Sequence, residues 1–193
     1  DRYVINGAKM WITGAKQADW GLLFARTGEQ GQRGGITCFI IDGHPKGIKF
    51  TEIPVIRSYS PYEVVFEDVE VPVENRLGEE GQGFALCEKW LVEGRVPYAA
   101  GTIGIAQEAL EIAIGWARER VVFGSPLADK QAIQWMIADS EMELRAARLL
   151  TWQAAWIADS GRGGDLKVAS SIAKVTATET AGRVVDRAIQ ILG

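Results

Sequence analysis

An α+β fold in two parts is predicted by three features of this sequence. The first third consists of short β-rich runs separated by turns, the texture changes after Pro72, and helical apolar periodicity then continues to the end. The expected architecture is a small β-barrel or sandwich domain over residues 1–75, followed by an antiparallel helical bundle over residues 76–193 that lacks a member.

The β-rich part begins with Tyr3-Val4-Ile5 and Met10-Trp11-Ile12-Thr13 on either side of Asn6-Gly7. That dipeptide tolerates positive φ at both central positions of a tight turn, so a hairpin is expected there. Further strands are expected at 20–25, 35–41, 48–53, 62–66 and 69–71, each bounded by Gly, Pro or charge. The glycine-rich, acidic segment 74–83 reads as the domain junction. Its run Gly78-Glu79-Glu80-Gly81-Gln82-Gly83 precedes a helix but lacks the GxGxxG spacing and puts acids where a phosphate would approach, so it reads as a flexible crossing.

Helices are expected near 83–118, 129–160 and 165–192. In the second, Ile133, Met136, Ile137, Leu144, Ala147, Thr151 and Ala154 share a face, and Glu141 precedes Arg145 at the favourable i,i+4 spacing. Gly161-Arg162-Gly163-Gly164 stops it. With no initiator methionine and an end at Ile191-Leu192-Gly193 inside an apolar pattern, a fragment is expected, inactive on its own.

Composition narrows the function classes. The chain has 193 residues, 47% of them hydrophobic, and 25 acidic against 21 basic residues give a net charge of −4. That balance leaves no basic footprint for nucleic acid, and no apolar run suits a bilayer, so neither partner is expected. Cys38 and Cys87 are not in a CxxC pair and read as reduced thiols, which fits the cytoplasm, or the mitochondrial matrix in a eukaryote. His44, the sole histidine, sits between Gly43 and Pro45 and reads as a loop residue, so no metal site is expected.

Three clusters carry candidate chemistry. One is Asn6-Gly7-Ala8-Lys9-Met10-Trp11-Ile12-Thr13; another is Arg120-Val121-Val122-Phe123-Gly124, with Gln131 following; the last is Ala188-Ile189-Gln190-Ile191-Leu192-Gly193. Singly, Trp11 reads equally as core packing, Arg120 as a charge complementing a helix C-terminus, and Gln190 as a solvated amide. Joined in order with Phe66-Glu67-Asp68-Val69-Glu70-Val71-Pro72, Leu77-Gly78 to Gly83 and Gly94-Arg95, they resemble the FAD-dependent acyl-CoA dehydrogenase family over essentially the whole chain.

The resemblance implies a middle β-domain and most of a C-terminal helical domain. It places Trp11, Ile12 and Thr13 along the flavin, Arg120 at the pyrophosphate, Phe123 and Gln131 toward the adenine, and Gln190 and Gly193 against the same cofactor. It also implies a homodimer or homotetramer whose cofactor sites are shared between subunits, Arg95 in the acyl-CoA pocket, and an electron-transfer flavoprotein as oxidant. The reaction implied is α,β-dehydrogenation of a fatty or branched-chain acyl-CoA. An oxidase or monooxygenase on the same fold, or a non-catalytic oligomerising homologue, stands as the alternative.

The family's base is a glutamate commonly found further along than Gly193, or in one subgroup immediately before the arginine, where this chain has Gly94. Glu93 is one residue off, a rotation of roughly 100° around a helix. The chain also departs from many relatives at Gly14-Ala15-Lys16 and at Ile56-Arg57-Ser58-Tyr59-Ser60-Pro61-Tyr62.

Overall fold

A computed structural model describes residues 1–31, 34–56 and 59–193; Arg57 and Ser58 of the departing stretch lie outside the described residues. The chain divides into two units, Asp1–Glu88 and Lys89–Gly193, with the division inside a helix.

In the first unit, β1 (Arg2–Thr13), β5 (Pro61–Pro72) and β4 (Ile48–Glu52) form one antiparallel sheet in the order β1-β5-β4. β2 (Trp20–Arg26), β3 (Ile36–Asp42) and the short β6 (Arg76–Leu77) form a second, in the order β2-β3-β6. Alternating positions on both sheets contribute Ile5, Leu23, Phe39, Ile41, Val64, Phe66, Val69 and Val71 to one buried cluster. Among the described residues the β part is thus a sandwich, not a closed barrel, with β1 and β4 at the edges of one sheet and β2 and β6 at the edges of the other.

The expected hairpin at Asn6-Gly7 is not formed. β1 runs straight through the dipeptide and pairs along its length with β5, which is equally long, so the partner is another strand and not the second half of β1. The pairing slips between Ile5↔Val69 and Gly7↔Phe66. Asn6 fills this bulge: its Nδ2 donates to Asp68 Oδ1 at 2.9 Å, and the Asp68 N–H donates to Asn6 Oδ1, also at 2.9 Å. Gly7 and Asp68 take up the bend with φ of 147° and 49°. The two short runs expected at 62–66 and 69–71 are accordingly one strand, bent at this bulge.

The segment read as a flexible crossing is packed against β3. The Gly81 N–H donates to Thr37 Oγ1 at 2.9 Å, Gln82 bridges to Ile36, and a Cβ added to Gly83 would lie 2.7 Å from the Cys38 nitrogen. The glycines allow close backbone approach. Arg76 Nη1 donates to the Tyr3 hydroxyl at 3.1 Å, and that hydroxyl donates to Glu80 at 3.3 Å. The bond to Tyr3, ahead of the nearby acids, raises the Arg76 pKa further above its ordinary value.

The second unit is built from α1 (Gly83–Glu119), of which all but the first turns belong here, α2 (Gln131–Ser160) and α3 (Leu166–Leu192). The buried positions Ala99, Ile103, Ala106, Leu110, Ala113 and Ala117 of α1 alternate steps of four and three. Leu144, Ala147, Thr151 and Ala154 of α2 follow the same rule, which is the spacing of helices crossing at a shallow angle. Abundant alanine lets the helices come close. Arg183 and Arg187, late in α3, each reach Glu143, early in α2, at 2.8 Å, so these helices are antiparallel. Gly161, at φ 64°, ends α2 with its N–H on the Ile157 carbonyl, and the Asp165 carboxylate caps α3 through the Lys167 N–H. Among the described residues no helix is long and apolar enough to cross a membrane.

Candidate functional site

The expected cofactor-binding residues fall into a group on β1 and a group at one end of the bundle. On β1 a second slip in pairing separates Lys9↔Val64 from Ile12↔Tyr62. Trp11 sits in that slip with φ 65° and is 62% exposed. A large side chain in the left-handed region is an outlier that the surrounding structure must enforce, at a cost of about 1–3 kcal/mol. Trp11 is therefore not core packing; β1 bulges and presents the ring outward. Ile12 and Thr13 are exposed beside it and line a cleft of about 430 Å³ between the β1 and β2 edges, together with Trp20, Leu22, Phe24 and His44. Lys9 Nζ crosses that gap to the Phe24 carbonyl at 2.9 Å. His44 stacks edge-on with Phe50, ring centroids 5.0 Å apart.

In the bundle, the end of α1, the start of α2 and the end of α3 meet in a cluster of Ala113, Ala117, Ala188 and Ile191, against which Ile133 and Met136 pack. This common end gathers Arg120, Phe123, Gln131, Gln190 and Gly193, all exposed. After α1 the chain makes a miniature hairpin, β7 (Val121–Val122) and β8 (Ser125–Pro126), closed by the Leu127 N–H on the Arg120 carbonyl at 2.7 Å. Phe123 and Gly124 form its tip with φ of 50° and 79°, and Phe123 is 99% exposed. The Arg120 guanidinium lies 5.9 Å from the centre of the Trp116 ring.

On α1, Glu93 is exposed, Gly94 has open space where a Cβ would stand, and Arg95 is half-buried. Pro97 sits inside the helix, so the Glu93 carbonyl has no N–H four residues on to receive. Sequence reasoning passed over Pro97, and it passed over the Asn6–Asp68 pair, whose only signal was an acid inside a β-rich run.

In fold class this is an α+β protein of two units, whose exposed, strained aromatic side chains stand on β1 and on the hairpin after α1. Residues 1–69 match the family description "Acyl-CoA dehydrogenase, middle domain", and residues 81–193 match "Acyl-CoA dehydrogenase, C-terminal domain". The chain belongs to the acyl-CoA dehydrogenase family. It is 39% identical over 196 residues to the mitochondrial short-chain specific acyl-CoA dehydrogenase of Sus scrofa, covering all of this chain and 47% of that protein. Butyryl-CoA dehydrogenase from Megasphaera elsdenii superposes with a TM-score of 0.92 at 38% identity, over 100% of this chain and 50% of that one. A chain solved in work on the electron transferring flavoprotein of Acidaminococcus fermentans and flavin-based electron bifurcation gives a TM-score of 0.93 at 37% identity, over 100% and 51%. The chain therefore spans about half the length of the relatives it matches.

Proposed function

We propose that this chain carries the flavin-binding part of an FAD-dependent dehydrogenase that forms an α,β double bond in an acyl-CoA thioester of short chain length. The observation that carries the reading is the pair Trp11 and Phe123, two exposed aromatic residues held in left-handed backbone inside the two motifs that resemble flavin contacts. Strained, exposed aromatics of this kind suit a ligand with flat rings better than they suit packing. The short-chain reading is supported by the names of the relatives above.

Bound FAD would supply the two-electron chemistry of the reaction. The chain's own contributions are binding and orientation. The Thr13 hydroxyl and nearby backbone offer hydrogen bonds to the electron-accepting edge of the flavin, Trp11 offers a ring face, and Ile12 an apolar neighbour. Arg120 offers a planar, permanently charged fork suited to a pyrophosphate, with Phe123 and Gln131 toward the adenine and Gln190 and Gly193 beside them. The residues present fit the group. An electron-transfer flavoprotein as oxidant is supported by the Acidaminococcus neighbour.

The test is flavin retention. The full-length protein reconstituted with FAD should show the visible flavin bands, and Arg120→Ala should weaken FAD binding by about 1.5–3 kcal/mol, the range for hydrogen bonds to charged groups. A spectrum without those bands sinks the proposal, and unchanged affinity removes Arg120 from the site.

A further inference from the structure

Cys38 and Cys87 are free thiols, and neither takes part in the cofactor contacts proposed above. Both belong to the first unit. On β3, Phe39 and Ile41 turn into the sandwich core, so by alternation Cys38 turns to the opposite face of its sheet. That face is closed to water there, because Cys38 is fully buried.

The start of α1 lies against this stretch of β3. A Cβ built on Gly83 would stand 2.7 Å from the Cys38 nitrogen and 2.9 Å from the Ile36 carbonyl oxygen, so the side of α1 that lacks this Cβ faces the strand. Cys87 follows four residues later and falls on the same side, one turn along the helix. The electrostatics of Cys38 accord with that placement. Burial pushes its thiol pKa up, and the neighbouring Cys87 pushes it further in the same direction. The two thiols differ in access: Cys87 is half-buried, whereas Cys38 has no exposed surface.

From this geometry we propose that Cys87 and Cys38 form a peroxide-sensitive pair, in which Cys87 is oxidised first and Cys38 then joins it in a disulfide between α1 and β3. In the first step the Cys87 thiolate attacks one oxygen of a hydroperoxide and the O–O bond breaks. Cys87 becomes a sulfenic acid, and the other oxygen takes up the proton that Cys87 gave up and leaves as water or an alcohol. In the second step the Cys38 sulfur attacks the Cys87 sulfur, the S–O bond breaks, and the Cys38 proton leaves with the hydroxide as water. Together the two thiols lose two electrons, and the peroxide gains them. A buried thiol with a raised pKa is a poor target for the oxidant itself, which fixes the order of the steps. The product pins the helix start to the sheet until a thiol reductant releases it. None of this rests on the acyl-CoA reading.

The test uses the full-length protein, reduced, freed of reductant and exposed to hydrogen peroxide. Remaining thiols are blocked with N-ethylmaleimide and the protein is digested without reduction. Mass spectrometry should find the peptides carrying Cys38 and Cys87 joined and two hydrogens lighter than their sum, and dithiothreitol should separate them and restore both thiols. In Cys38→Ala the sulfenic acid at Cys87 loses its partner and should be trapped as a dimedone adduct. In Cys87→Ser, a change at the half-buried position that spares the core, Cys38 should stay a free thiol at the same exposure. Three outcomes overturn the proposal: both thiols remain reduced in the unaltered protein, Cys87 runs on to sulfinic acid while Cys38 stays free, or the bond forms no faster in the folded protein than in urea.

Discussion

Trp11, Asp68 and Phe123 are the non-glycine residues with positive φ among those described, and they divide into two kinds. Asp68 has its strain offset by Asn6, whose side chain satisfies it on two sides. Trp11 and Phe123 have large exposed rings instead, so their backbone positions are explained by what the rings meet and not by packing. At this scale the bundle's clearest electrostatic contribution is Glu143. Burial works against its charge, but the hydrogen bonds from Arg187 and Arg183 outweigh burial and hold its carboxyl below the usual range. A depressed carboxyl pKa contributes stability that is present above the unfolded value, about 4.3, and is lost as pH falls through the folded value. Glu143→Gln should therefore lower stability at pH 7 by about 1–2 kcal/mol, discounted because Arg183 is half exposed. In urea melts the gap from the unaltered protein should close below about pH 4; a gap that persists there would locate the effect in packing. Glu93→Gln addresses the reaction itself. Since Glu93 stands roughly 100° around the helix from Gly94, turnover of the full-length enzyme should stay near that of its unaltered form. A fall of about 10²–10⁴-fold, the usual cost of losing a positioned base, would make Glu93 the base.

At the scale of elements, the join between β3 and the start of α1 depends on Gly83. Its missing Cβ is space that the Cys38 nitrogen and the Thr37 carbonyl carbon already claim, each 2.7 Å from where it would stand. These are backbone atoms and cannot swing aside, so Gly83→Ala should cost about 1–3 kcal/mol, the usual penalty of overpacking, read as a lower urea midpoint. No loss would mean that the helix start and β3 are free to separate. The same contact shows what the sequence could not convey. Local signals located the helices well: Gly161 ends α2 where expected, and Glu141 and Arg145 pair at 2.7 Å as their spacing implied. Long-range pairing was not local. Asn6-Gly7 has the chemistry of a turn, and only a twelve-residue β5 offering a full-length partner makes it a bulge. Gly81 and Gly83 likewise read as flexibility, because the strand they approach lies more than forty residues earlier in the chain. The candidate site was legible as motifs; its geometry, with Trp11 turned outward by a slipped register, was not.

For the whole molecule, the outer helix faces call for partners. On α2, Trp135, Met142, Leu149 and Trp156 recur at seven-residue intervals, each more than half exposed, and Trp152 joins them. Such a stripe is far more apolar than a solvated helix face, and a second copy of the chain would bury it in a symmetric contact. A homo-oligomer bears directly on the site, because Thr13 lies in the first unit whereas Arg120 lies in the second, and the cofactor reading draws on both. If each cofactor is held by Thr13 of one subunit and Arg120 of its neighbour, two damaged proteins can repair each other. Full-length Thr13→Val and Arg120→Ala variants, each inactive alone, are mixed under conditions that allow subunit exchange. Each mixed dimer then contains one doubly damaged site and one site with both residues intact. Activity should return toward about a quarter of that of the unaltered protein, since random pairing makes half of the dimers mixed and each has one working site of two. No recovery, with exchange demonstrated by mass-labelled subunits, would place Thr13 and Arg120 in the site of a single subunit.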